Sequence, residues 1–136
     1  MLFEFTILLT ILLLFHTIAD FVLQNTYHLG KFKKNGWLLP LLSHSFQHSY
    51  ATAIGFVLFM LIFGYYGNIT LYYLVATLSV VNMIIHTIVD RMKANPTMIK
   101  KYPYPSKAYF VLLGLDQYAH TVTAILIGYI FITSIN

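Results

Sequence analysis

The sequence predicts an all-α integral membrane protein, a four-helix bundle built from two parallel, repeated helical hairpins. Three observations carry this. The hydrophobic fraction is 59% and the charged fraction 9%, with a mean hydropathy of +0.75, so the charges are too few to cover a water-facing surface. Four apolar runs each reach the length of about 20 residues that spans a bilayer. All eight Lys and Arg fall in two short segments, from Lys31 to Lys34 and from Arg91 to Lys107.

The 136 residues suffice for one transmembrane domain, 1–136, with repeat halves of about 1–66 and 69–136. The first helix runs from about Leu2 to Leu23. It opens with Glu4 where a cleaved signal would carry Lys or Arg, so it is expected to stay as a membrane helix. A polar segment, Gln24 to Asn35, leads to Gly36 and Trp37 at a membrane interface. The second helix runs from about Leu39 or Pro40 to Phe63, with Pro40 suited to a first turn. Gly64 to Asn68 make a short turn with interfacial tyrosines. The third helix runs from about Thr70 to Arg91. The following loop holds Lys93, Pro96, Lys100, Lys101, Pro103, Pro105 and Lys107, whose prolines and lysines forbid a buried helix. The fourth helix runs from about Ala108 to Thr133.

Both basic segments follow odd-numbered helices and lie on one side. The positive-inside rule makes that side cytoplasmic, with both termini outside, as in a bacterial inner membrane. The net charge of +4 then reflects topology, and nucleic acid is not an expected partner. Membrane lipids are, and a homo-oligomer is left open. The absence of cysteine excludes thiolate metal sites and disulfides.

One pentad is spelled twice: His16-Thr17-Ile18-Ala19-Asp20 and His86-Thr87-Ile88-Val89-Asp90. Residues four apart share a helix face. Two further pairs answer them, His44 with His48 and Asp116 with His120. With topology set by the lysines alone, all four pairs fall at a similar depth near the cytoplasmic side. The spacing also repeats. His16 to His48 spans 32 residues and His86 to His120 spans 34, Asn25 and Asn95 share an offset, and Phe46 and Tyr118 precede matching histidines. Gly55 and Gly128 follow those histidines. Two hairpins in this order form parallel repeats about an axis along the membrane normal.

Ionisable groups in a membrane cost at least a few kcal/mol each unless partnered. Eight share one layer here: His16, Asp20, His44, His48, His86, Asp90, Asp116 and His120. A divalent transition metal, zinc first and iron, manganese or nickel next, would offset the carboxylates and take imidazole nitrogens, as one or two ions. The bland reading is a hydrogen-bond network with some histidines protonated. Gln24, Asn82 and Gln117 suit hydrogen bonds to the ligands, or equally contacts between helices. Thr52 and Thr123 read as packing residues, His28 as solvated, and Glu4 as a topology signal. Lys31, Lys33, Lys34, Lys93, Lys100 and Lys101 ring the site, as topology determinants or as contacts to an anionic headgroup. The stretch from Lys100 to Pro105 reads as an interfacial loop first and a lid second.

The combination His16-x-x-x-Asp20-Phe21-x-x-Gln24, His44, His86-x-x-x-Asp90-x-x-Lys93, then Phe110 and Asp116-Gln117-x-x-His120 resembles a family of small membrane proteins of bacteria and phages known only as a domain of unknown function. The resemblance covers nearly the whole chain and implies a polytopic membrane protein with a His/Asp site. More loosely, the pairs look like those of membrane-bound metal-dependent hydrolases, and His-x-x-x-Asp looks like the ion site of cation diffusion facilitators. The chain departs from the latter in having four helices, not six, and no cytoplasmic metal domain.

The leading functional expectation is a metal-dependent hydrolase acting on a lipid or other anionic substrate at the cytoplasmic leaflet, with Asp116 as general base or further ligand. A divalent-cation transporter or channel is the alternative, although the outer halves of the helices offer no polar path. Haem between facing histidines fits poorly, because the neighbouring aspartates would sit against a porphyrin. A structural or regulatory membrane protein is the remaining reading.

Overall fold

A computed structural model describes residues 1–135, with only the backbone of Ile99. The helices are α1 (Leu2–Thr17), α2 (Leu38–Phe63), α3 (Ile69–Lys93), α4 (Pro96–Lys101) and α5 (Lys107–Ile135). Four spans are long and apolar enough to cross a membrane: Leu2–Val22, Leu38–Phe63, Ile69–Met98 and Lys107–Ile135. An apolar solvent forces each spanning segment to satisfy its backbone internally, and a helix does so residue by residue.

The helix ends follow from local chemistry. Gly64 ends α2 with a φ of +79°, a backbone conformation that glycine adopts without strain. Asn68 starts α3, its side chain accepting from Thr70 N at 3.0 Å. Asn95 does the same for Thr97 N ahead of α4, with Pro96 in the first turn. The prolines of the second basic loop therefore exclude a buried helix but permit this short one at the surface.

Around the bundle, α1 packs on α2 and α5, and α3 packs on the other side of the same two helices. Away from the basic loops the interior is sealed by Leu8, Phe56, Phe59, Met60 and Phe131, all fully buried. At the basic end the interior becomes polar.

The first helix departs from a regular α-helix where its aspartate lies. Ile18–Val22 is a π-turn, closed by Leu23 N donating to Ile18 O at 3.0 Å. A second irregular piece, His28–Phe32, is a 3₁₀ turn folded against α2. Its closest approach is at Gly30, where a Cβ would sit 2.8 Å from Pro40 Cγ.

Some positions paired by sequence also pair in role. Asn25 Oδ1 accepts from Tyr27 N at 3.0 Å, as Asn95 does from Thr97 N. The paired glycines differ. Gly55 and Gly128 both face α1, against Leu12 and against Phe5 and Leu12 respectively. Their offsets from the matching histidines differ by one residue, which is about 100° around a helix.

Candidate metal centre

Helical spacing puts each of the four pairs, three His/Asp and one His/His, on one face, and the bundle turns all four faces inward at the same level. His44 and His86 are fully buried, and Asp90 is 1% exposed. Two groups of donors form. Asp20, His44, His48 and His86 have ligand atoms all within 4.8 Å of one another, as do His86, Asp90 and His120. His86 belongs to both groups. His16 and Asp116 belong to neither and flank them.

Asp20 is the hub of the first group. Its Oδ1 lies 3.1 Å from His48 Nε2 and 3.3 Å from His44 Nε2. Its Oδ2 lies 3.4 Å from His16 Nε2 and accepts from Gln117 Nε2 at 2.9 Å. The π-turn positions this carboxylate, and Gln47 Nε2 donates to Ala19 O within it at 3.3 Å. Such turns recur at functional sites.

Asp90 is the hub of the second group. His44 Nε2 lies 3.4 Å from Oδ2, His86 Nε2 3.6 Å from Oδ2, and His120 Nε2 3.5 Å from Oδ1. The rings of His48, His86 and His120 form a stack, with centroids 3.8 Å and 4.2 Å apart.

The Nε2 atoms of all five histidines point at carboxylates. Among the described residues, the Nε2 atoms of His16, His44, His86 and His120 are buried without a hydrogen bond. A buried polar atom without a partner costs about 1–3 kcal/mol. Four such atoms converging on shared carboxylates fit a cation better than a completed network of hydrogen bonds.

Two lysines turn in toward the carboxylates, Lys31 buried and Lys93 half-buried. Lys31 is 2% exposed and its Nζ lies 2.5 Å from Asp90 Oδ2. Burial is the largest influence on its pKa and lowers it, against the opposing pull of Asp90. Lys93 Nζ lies 2.5 Å from Asp116 Oδ2 and 3.8 Å from Asp90 Oδ1. The reason is the 3₁₀ turn, which carries Lys31 inward, and two further residues of helix in α3, which carry Lys93 over the site. Lys33, Lys34, Lys100 and Lys101 are exposed, as a solvated rim requires.

His28 is likewise not solvated. It is 6% exposed, with its ring 5.4 Å from that of His44. Asn25 N–H donates to its Nδ1 at 3.4 Å, which leaves the proton on Nε2 to meet Ser43 Oγ at 3.2 Å. Burial, with His44 and Lys31 nearby, holds its pKa below the ordinary imidazole value. Arg91 secures the same turn. Its guanidinium lies 3.7 Å from the Trp37 ring centroid, and Nη1 donates to Lys31 O at 3.5 Å.

Of the expected supporting residues, Gln117 touches Asp20 and also lies 3.4 Å from Asp116 Oδ2. Asn82 instead donates to Thr52 Oγ1 at 2.9 Å, tying α3 to α2. Gln24 lines a pocket of about 270 Å³ that opens beside Asp20. Its lining combines the polar groups Asp20, Lys31, Lys93 and Gln117 with the side chains of Phe21, Tyr109, Leu112 and Leu113. Met98 and Tyr102 edge it from the second basic loop.

No curated protein and no solved structure matches the chain. The family model described as protein of unknown function (DUF3307) matches residues 8–136. With that match spanning all but the first turn or two of α1, and the buried His/Asp layer inside it, the chain belongs to the DUF3307 family of proteins of unknown function.

Proposed function

We propose that the protein is a metal-dependent hydrolase of the membrane, acting on an anionic substrate at the cytoplasmic leaflet. The observation that carries this reading is the convergence of four Nε2 atoms without a hydrogen bond on shared carboxylates, one of which, Asp20, lines a pocket together with two lysines. The donor set, imidazole and carboxylate without thiolate, suits zinc first and iron, manganese or nickel next.

Charge supports one ion. Asp20, Asp90 and Asp116 face Lys31 and Lys93, so three carboxylates against two ammonium groups leave one formal negative charge. One divalent ion together with one hydroxide brings the site to neutrality. A second ion would leave it strongly cationic in a low-dielectric layer. Asp20, His44, His48 and His86 are the four donors for that ion. Asp90 is the poorer ligand, because Lys31 already occupies its Oδ2.

A bound divalent ion supplies a water of lowered pKa and polarises a phosphoryl or carbonyl oxygen. The chain's own residues supply the rest. Lys31 and Lys93 hold an anionic group at the pocket floor. His120, next to the donor set, carries a proton to or from the reacting groups. Asp116 Oδ1, buried and 3.6 Å from His120 Nε2, acts through that histidine as a positioning residue. Gln117 and His16 hold Asp20 in place.

The test is elemental analysis of detergent-purified protein beside a His16→Ala/His86→Ala variant, followed by a panel of lipid phosphates, esters and amides. About one equivalent of transition metal, lost in the variant, with turnover of one substrate class, is the expected result. Protein that takes up no metal on reconstitution would leave the layer a proton and hydrogen-bond network, and the hydrolase reading would be abandoned.

A further inference from the structure

The pocket has two chemically different ends. Its floor is polar, with Asp20, Lys31, Lys93 and Gln117. Its wall is apolar, formed by Phe21 at the end of the first span and by Leu112 and Leu113 on α5. Phe21 is 66% exposed, so the wall runs into the surface that the bundle turns toward lipid.

A small water-soluble anion would use only the floor and leave this wall without a partner. A volume of about 270 Å³ is below the usual 300–1,000 Å³ of sites that enclose a drug-sized ligand. It holds a headgroup and the first part of a chain, and the remainder has to lie outside. The lysines keep binding capacity. An ammonium carries three N–H donors, and its nearest carboxylate oxygen takes one of them, at 2.5 Å in both pairs.

We propose that the pocket binds a membrane amphiphile with a phosphate-type anionic head, held by Lys31 and Lys93, whose apolar tail leaves between Phe21 and Leu112–Leu113 into the bilayer. The substrate then enters sideways from the membrane, not from water. This deepens the hydrolase reading and rests on it for the chemistry that follows. Of the three carboxylates only Asp20 lines the pocket, against Lys31 and Lys93, so binding itself needs no metal and the two ideas fail separately.

The experiment uses metal-stripped full-length protein in phosphatidylcholine vesicles. The probe is a single-chain alkyl phosphate with a photoactivatable diazirine on its first few carbons, and labelled residues are located by mass spectrometry. Label concentrated on Phe21, Leu112 and Leu113 is expected. It should fall about tenfold, equivalent to about 1.4 kcal/mol, in either Leu112→Trp or Leu113→Trp, and stay unchanged in Leu126→Trp on the lipid face of the same helix. Inorganic phosphate at equal concentration should leave it in place. Label spread evenly over the lipid-facing residues of all four spans would overturn the proposal. So would loss of label to inorganic phosphate, which would make the source aqueous. Focused label on a protein that never takes up metal would keep the amphiphile site and remove the hydrolase.

Discussion

Lys31 Nζ and Asp90 Oδ2 meet at 2.5 Å across 59 residues of sequence, with both side chains almost fully buried. The contact joins the first basic segment to the second pentad. It closes the layer of ionisable groups from the basic end and engages one of the two oxygens of Asp90.

Removing the ammonium leaves Asp90 buried with only the more distant Lys93 ammonium, 3.8 Å away, against it. Breaking a buried pair from one side costs about 3–5 kcal/mol. Lys31→Met is therefore expected to be strongly destabilised in mixed-detergent unfolding. Lys31→Met/Asp90→Asn should recover more than half of the loss, because no lone charge remains. Equal instability of the single and double variants would mean that the ion pair is not what holds the turn.

In the proposed hydrolase the two donor groups would separate binding from turnover. His48→Ala should lose the metal, since His48 belongs to the four-donor group around Asp20. His120→Ala should retain about one equivalent and lose turnover by about 10²–10⁴-fold, the usual worth of a positioned acid–base group. Elemental analysis of the two variants side by side decides it. Metal kept in His48→Ala and lost in His120→Ala would move the ion to the group that contains Asp90.

Gly30 tests the route by which Lys31 is delivered. A Cβ there would lie 2.8 Å from the Cγ of Pro40, a rigid ring that cannot turn away. Gly30→Ala should push the 3₁₀ turn off α2 at a cost of about 1–3 kcal/mol, while Gly67→Ala, with open space around it, should be near neutral. Chemical denaturation of both variants reads this directly. A silent Gly30→Ala would show that the turn has slack to spare.

The legible parts of this protein are those set by short-range periodicity. Apolar runs of spanning length identify four helices, and a spacing of four places His16 with Asp20 and His86 with Asp90 on shared faces. Depth followed from the lysines, because the chain must cross the same layer each time. What was not legible depends on irregular backbone. Nothing in Ile18–Val22 announces a π-turn. Lys31 reads like Lys33 and Lys34 until Gly30 lets its turn close on Pro40. Lys31 and Lys93 read as rim charges until the fold pairs them with Asp90 and Asp116, and those pairings are why the proposed function takes one ion where the sequence left one or two open. His28 reads as solvated for the same reason, since its partners Asn25 and Ser43 come together only when the turn folds back on α2.

Transport is the reading that the opposite end of the bundle argues against. Below the donor layer, Leu8, Phe56, Phe59, Met60 and Phe131 are fully buried, and the Phe56 and Phe131 rings lie 4.8 Å apart. An ion leaving the carboxylates in that direction would shed its ligands into hydrocarbon, and a charge at such a depth costs at least a few kcal/mol without partners. Transporter sites instead sit near the midplane, between two gated halves. Proteoliposomes under a zinc or manganese gradient should therefore show flux no higher than protein-free vesicles, while the same preparation retains bound metal. Saturable flux that disappears in Asp20→Asn would sink this argument and place a gate through the phenylalanine layer.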